Sequence, residues 1–547
     1  MKTNVSLCIA AALMVAACGD PSHRHNSGEK VSVINSTPDE VIEEDVEITS
    51  NEAALMEPSA NATSKMILSS PPPPQQRNAE TYKEIKENSF VAVAQQPVTT
   101  FSADVDRAAY ANVRRIIGYG QIPPKDAVRI EEMVNYFDYD YPAPEEGSVN
   151  PLRVSPELAP APWNPNHLLL RIGLQAKKID LAQAPPSNIV FLIDVSGSMD
   201  EENKLPLLQS SFKLLLGQLR PDDKVAIVTY ANGTKVALPS TRVKDKEKII
   251  KVLDNLYASG GTSGGRGIQL AYEQAQKSFI KNGNNRIILA TDGDFNIGIN
   301  NTTDLEKFIE KQRESGIYMS VLGFGIGNYR DDMAETIADK GNGNYAYIDN
   351  ITEAKKVLVN ELSGTLFAVA KDVKLQLEFN PKYVKEYKLI GYENRMLANE
   401  DFTNDKKDAG EIGAGHTVTA LYELVPSDGK VAQSLRYQSQ ELNEKGKGNE
   451  LGFLKIRYKD PKVKDAKSVE ITEPLVFNKK ALKETSTDYR FAASVAEFGI
   501  LLRDNSNKAN ATYDQVIELA EGAIGKDPEG YRKEFVRLVK SVKMLPK

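Results

Sequence analysis

Four short apolar runs recur through the middle of the chain: "NIVFLIDV" (188–195), "KVAIVTYA" (224–231), "NRIILATD" (285–292) and "IYMSVLGFG" (317–325). Each is too short for a typical helix and rich in β-branched residues, so each reads as a strand covered on both faces. The segments between them carry helical periodicity instead. In "KLPLLQSSFKLLLGQL", Leu208, Phe212, Leu215 and Leu219 fall on one i, i+4, i+7, i+11 stripe, and residues 244–257, 267–280, 303–315 and 351–368 also read as helices. This βαβα order predicts an α/β fold with a doubly wound, mostly parallel sheet over 187–368 and right-handed crossovers. Ligand sites in such a sheet lie beyond the carboxyl ends of the strands.

A chain of 547 residues exceeds one core, and about three domains are expected. Residues 96–186 form an N-terminal region with helices predicted at 104–117 and 125–137 and a strand-like "HLLLRIGLQA" (167–176). Beyond residue 369 the texture changes again. "DVKLQLEFN", "VKEYKLIGYE", "HTVTALYELVP", "GFLKIRYKD" and "SVEITEPLVF" predict a β-sandwich over 369–480, followed by helices at 485–504 and 511–545 within a C-terminal helical region, 481–547.

The N-terminus reads as a secretion signal over 1–17. Lys2 precedes a mostly apolar stretch, Val5–Ala17, too short to span a bilayer as a helix. The stretch ends in Val15-Ala16-Ala17-Cys18, which resembles a bacterial lipobox, so Cys18 is expected to be acylated, with palmitate among the chains. That would hold the mature protein at a membrane of the bacterial cell envelope, on its periplasmic or exposed side. Cys8 would leave with the signal, so the mature chain could form no intramolecular disulfide. Residues 18–95, rich in Ser, Asn, Glu and Pro and including Pro71–Pro74, read as a disordered tether. A coil of about 75 residues would reach roughly 50 Å.

Composition narrows the chemistry. With 68 basic and 75 acidic side chains, the formal charge of −7 offers no general attraction to nucleic acid. Only four histidines exist, two of them within the first 25 residues, which argues against histidine-based zinc sites and most histidine-dependent catalysis. The notable constellation contains no histidine. In "FLIDVSGSMD" (191–200), Asp194, Ser196 and Ser198 stand at i, i+2 and i+4 after an apolar run. "SGGTSGGRG" (259–267) offers Thr262 before a helix, and "ATDGDFNIG" (290–298) puts Asp292 at the end of another strand. In the predicted sheet all three loops open on one edge, presenting two carboxylates and three hydroxyls. Hard divalent cations prefer such an all-oxygen set.

Other chemistries fail at a required residue. A haloacid-dehalogenase phosphatase needs a second Asp as general acid where Ser196 stands. The glycine loop lacks the Lys-Ser/Thr pair of a P-loop. Gly261-Thr262-Ser263-Gly264-Gly265 matches G-x-S-x-G, but it lacks a preceding strand, and only His416, outside the α/β region, follows it. "DGDFNIGINNTT" has Ile297 and Thr303 where an EF-hand needs Gly and Glu.

The order D-x-S-x-S, then Thr in a glycine-rich loop, then T-D-G resembles the metal-ion-dependent adhesion site of von Willebrand factor type A (VWA) domains. Residues 97–145 resemble the region ahead of that domain in a group of bacterial lipoproteins, the YfbK-like proteins. The strand-then-helix tail resembles their C-terminal domain of unknown function. The resemblance implies direct metal ligation by Ser196 and Ser198, and direct or water-bridged ligation by Thr262. It implies that Asp194 and Asp292 act largely through water. The expected ion is Mg²⁺, with Mn²⁺ and Ca²⁺ as alternatives, and the expected partner is a protein presenting Asp or Glu to the open metal position. The reading is thus a non-enzymatic adhesion or assembly module. A structural envelope protein with a loop-stabilising metal, and a metal-dependent hydrolase, stand as alternatives.

Overall fold

The computed structural model describes residues 80–103, 106–180, 184–261, 264–293, 302–327, 329–428, 448–463, 466–504 and 508–546, all within the unit Pro74–Lys547. The signal segment, Cys18 and Thr262 lie outside the described residues.

Val91–Ala92 (β1) and Val98–Ser102 (β2) precede helices Ala108–Gly118 (α1) and Ile130–Asn135 (α2), then the hairpin strands Leu152–Ala161 (β3) and Asn164–Ala176 (β4). The α/β unit follows. Its strands are Ser187–Asp194 (β5), Lys224–Tyr230 (β6), Thr234–Arg242 (β7), Asn284–Thr291 (β8), Ile317–Gly323 (β9) and Tyr345–Tyr347 (β10). Between them run helices Leu205–Gln218 (α3), Lys246–Asp254 (α4), Gly264–Lys277 (α5), Thr302–Arg313 (α6) and Asp331–Lys340 (α7). The sheet order is β10-β9-β8-β5-β6-β7, parallel except for the β6–β7 pair. Every residue of β5 and of β8 is buried, as continuous apolar runs require of strands covered on both faces. Leu208, Phe212 and Leu215 of α3 are fully buried, and Phe212 stacks on Phe191 of β5 with ring centroids 4.0 Å apart. Consecutive crossovers leave β5 in opposite directions, so the crevice between the β5 and β8 ends is the topological switch point.

Several elements differ from the sequence expectation. The antiparallel edge strand β7 and helix α7 were not foreseen, and 351–368 is not one helix. Ile351–Lys355 (α8) passes through a π-helical turn, Lys356–Asn360, into Leu362–Leu366 (α9). The π turn sits where Lys356, buried, pairs with Glu361.

The remaining elements are strands Ala368–Phe379 (β11), Val384–Ile390 (β12), Gly410–Gly413 (β13), Thr417–Pro426 (β14), Glu450–Lys459 (β15) and Val469–Val476 (β16) and helices Thr487–Leu502 (α10), Tyr513–Glu521 (α11) and Tyr531–Met544 (α12). They form two sheets, β1-β12-β14-β4-β3 and β13-β11-β15-β16, with β2 also pairing β11. The sheets share one core: Phe379 of β11 stacks on Tyr387 of β12 at 4.7 Å and meets Tyr422 of β14 edge-on at 5.4 Å. These pairings cross the boundaries at 186 and 369 drawn from sequence. β4 pairs with β14 from Gln175↔Thr417 to Leu168↔Leu424, so the chain leaves one sheet after β4, forms the α/β unit, and returns into β11 of the other sheet. The helices join likewise, Phe137 beyond α2 packing on Phe491 of α10 and Phe535 of α12.

The tether boundary at 95 also needs correction. Thr81 bridges to Arg330, the Ile85 amide donates to Asp126, and Val91 pairs with Tyr387. Residues 80–95 therefore run against the folded body, held by backbone pairing that a polar composition does not reveal.

Candidate metal site

Asp194 ends β5 fully buried, and its side chain turns back to cap its own loop: Oδ1 accepts the Ser196 amide at 2.9 Å. The next two hydroxyls converge, Ser196 Oγ and Ser198 Oγ standing 3.0 Å apart. Register brings in the second carboxylate. Ile193 pairs with Ala290 across β5–β8, so Thr291 and Asp292 emerge beside Asp194, and the Thr291 hydroxyl donates to Asp194 Oδ2 at 3.4 Å. Asp292 is fully buried too. The following Gly293 has φ +87, and a Cβ there would lie 2.6 Å from the Arg330 amide nitrogen, so the turn after Asp292 requires glycine.

The third loop is placed by its stem. Ser259 N donates to Val195 O and Gly197 N to Gly260 O, both at 2.8 Å, while Asn232 Oδ1 accepts the Gly261 amide at 2.5 Å. Four of the five residues expected from sequence thus lie in adjoining loops at the switch point, and the stem that leads to Thr262 runs alongside them.

Burial pushes the Asp194 carboxyl up to about 6; hydrogen bonds from Ser196 pull it back, and the Asp292 charge adds to the rise. Two buried carboxylates side by side are stabilised by nearby positive charge. The donor set fits a hard divalent ion: two carboxylates and two hydroxyls, with no imidazole or thiolate among them. The Lys204 ammonium is already seated in this neighbourhood, 3.3 Å from Asp292 Oδ2 and donating to the Ser198 carbonyl at 2.8 Å. Sequence reading missed Lys204, since a lysine ahead of a helix reads as solvated.

Sequence reading also missed a second buried cluster. Asp106, Glu132 and Glu335 have carboxylate oxygens within 4.8 Å of one another. Guanidinium groups meet all three: Arg395 reaches Asp106 at 3.1 Å and Glu335 at 3.3 Å, and Arg129 pairs with Glu132 and, at 2.5 Å, with Asp331. The cluster is an ion network joining the segments around α1 and α2 to α7. The Arg129/Glu132 spacing at i, i+3 was its only local signal.

A groove of about 310 Å³ flanks the first loop, lined among others by Val195, Asn232, Thr234, Lys235, Tyr257 and Ser259. Tyr257 is 73% exposed beside it.

Comparison with known proteins gives three family matches: "von Willebrand factor" over 76–171, "von Willebrand factor type A domain" over 188–360 and "Uncharacterized protein YfbK, C-terminal" over 364–545. The chain is 48% identical over 465 residues to "Uncharacterized protein YfbK" of Escherichia coli (strain K12), covering 84% of this chain and 80% of that one. It is 26% identical over 326 residues to "Uncharacterized protein sll0103" of Synechocystis, covering 60% and 74%. The solved structure "von Willebrand factor type A from Catenulispora acidiphila" aligns over 84% of this chain and 91% of its own, with 14% identity and a TM-score of 0.40. VWA domains commonly bind a divalent metal ion and mediate protein–protein interaction. The central α/β unit is a VWA domain, and the chain as a whole belongs to the YfbK family.

Proposed function

We propose that the protein is a membrane-anchored, metal-dependent protein-binding module. The convergence of Asp194, Ser196, Ser198 and Asp292 at the switch-point edge carries the reading. These four residues, with Thr262, would hold the ion, Mg²⁺ first among the candidates. A bound divalent cation supplies an electrophilic position open to a carboxylate of a partner protein. The hydroxyl ligands add no negative charge to that of Asp194 and Asp292. The groove under Tyr257 offers the partner's neighbouring side chains a recess beside the metal edge. Ser196 stands where a phosphatase of similar topology places its general acid, and a serine hydroxyl is a poor proton donor at neutral pH. This supports binding over turnover.

Anchoring rests on the lipobox-like Val15-Ala16-Ala17-Cys18 and acylation of Cys18. Among the described residues no helix is long and apolar enough to cross a membrane. The protein would then sit at a membrane of the cell envelope.

The test is capture of partners from envelope extracts with and without EDTA, comparing the native chain with Ser196→Ala and Asp292→Ala. Chelation and either substitution should strip the same partner from the bait. A partner set indifferent to all three would overturn metal-dependent binding. Ester or phosphate turnover lost in Asp194→Asn would point to hydrolysis instead.

A further inference from the structure

One ammonium meets groups from two of the metal loops. Lys204 Nζ donates to the Ser198 carbonyl at 2.8 Å and lies 3.3 Å from Asp292 Oδ2 and 3.1 Å from Glu201 Oε1. The Lys204 side chain is only 4% exposed, whereas Glu201 is 52% exposed. Burying an ammonium is unfavourable unless opposite charge and acceptors compensate it. The helix that follows gives no compensation: Lys204 sits at the N-terminal end of α3, where the helix dipole disfavours a cation. Its partners in the metal loops are what hold it there.

The surrounding backbone is shaped to admit the side chain. Gly325, in the loop after β9, has φ +81, and a Cβ at that position would collide with Lys204 Cε. The Tyr347 hydroxyl donates to the Gly325 carbonyl, fixing the loop over which the lysine stem passes. Loops from β5, β8 and β9 are therefore organised around one lysine.

We infer that Lys204 is a specificity-determining residue of the metal site, a tethered positive charge that offsets Asp292 so that the loaded site keeps excess positive charge and selects a carboxylate ligand. This rests on the metal-site reading above. The carboxylates of Asp194 and Asp292 alone would neutralise a divalent ion and leave little reason to recruit an anion. With the Lys204 ammonium among them, the loaded site carries one net positive charge. The Glu201 carboxylate, 3.1 Å from the same ammonium but about half exposed to water, offsets only part of that charge. Two effects of opposite sign follow: Lys204 weakens the site's hold on the metal and strengthens the loaded site's hold on an anion.

The test uses the purified full-length chain, with Mn²⁺ uptake followed by electron paramagnetic resonance. Acetate binding to the Mn²⁺-saturated protein is followed by water-proton relaxation. Lys204→Met should bind Mn²⁺ on the order of tenfold more tightly and acetate on the order of tenfold more weakly. Lys204→Arg should retain native behaviour in both. Gly325→Ala keeps the lysine in the sequence but blocks its path, and should move both affinities in the same direction as Lys204→Met; it decides the matter if Lys204→Met does not fold. Unchanged or weaker Mn²⁺ binding in these variants, with normal uptake by the native chain, would overturn the inference and leave the metal site standing. Tighter Mn²⁺ with unchanged acetate would overturn the ligand selectivity. A native chain with no saturable Mn²⁺ uptake, or with uptake indifferent to Ser196→Ala and Asp292→Ala, would overturn the metal-site reading itself.

Discussion

Arg129 Nη1 lies 2.5 Å from Asp331 Oδ2 with both side chains buried, and the pair fastens the residue preceding α2 to the first turn of α7. Arg129 also pairs with Glu132, so one guanidinium serves two carboxylates out of reach of water. Removing one member of a buried ion pair costs about 3–5 kcal/mol, chiefly because the charges left behind have no partner. Arg129→Met should lower stability by about that much in urea unfolding. Arg129→Met combined with Asp331→Leu should be less damaging than Arg129→Met alone. Equal loss in the single and double variants would show that the pair is not what holds these elements.

The metal loops should make stability depend on divalent ions. A ligand that binds only the folded chain adds about 2.7 kcal/mol at a hundred times its Kd. Melting of the native protein should therefore rise on adding Mg²⁺ or Mn²⁺ and fall back with EDTA. Asp194→Asn and Ser196→Ala should abolish the rise, because the first removes one of the two buried carboxylates and the second a converging hydroxyl. An ion-induced shift that persists in both variants would place the bound ion elsewhere.

Sequence legibility followed the range of the interactions. β5, β6, β8 and β9 were readable because burial on both faces leaves an unbroken apolar run. β7 was not, since it lies at the sheet edge, includes Pro239 and is only partly buried. β3 is likewise an edge strand interrupted by Pro156 and Pro160. Strand character at 167–176 and 417–426 was local information, but the pairing of Leu168 with Leu424 was not, because periodicity does not specify a partner. The site divides the same way. Asp194, Ser196 and Ser198 declare themselves by spacing, and Asp292 by its place at a strand end. Lys204 becomes visible only once Gly325 and Asp292 are folded against it.

Cys18 carries the anchoring proposal by itself, since no other attachment is proposed for the chain. Cys18→Ser should move the protein from the membrane fraction to the soluble fraction, and metabolic labelling with a palmitate analogue should mark the native chain and not the variant. Retention of Cys18→Ser in washed membranes would show that acylation is not the sole attachment.

Glu497 gives the fold a pH dependence of its own. The side chain is fully buried in α10, and burial pushes its carboxyl up to about 8 from the usual 4.5, with the Thr512 amide, 3.4 Å away, pulling weakly back. The folded chain therefore keeps a proton that the unfolded chain releases. Stability from this group is fully present below about pH 4.5, falls as the pH rises, and is lost above about 8. The slope in that window is about 1.4 kcal/mol per pH unit for one proton. Glu497→Gln keeps the shape and cannot ionise, so its stability relative to the native chain should grow from pH 5 to pH 8 and then level. Denaturation curves at pH 5, 6.5, 8 and 9 measure this directly; a constant difference across the series would mean that Glu497 does not carry the proton.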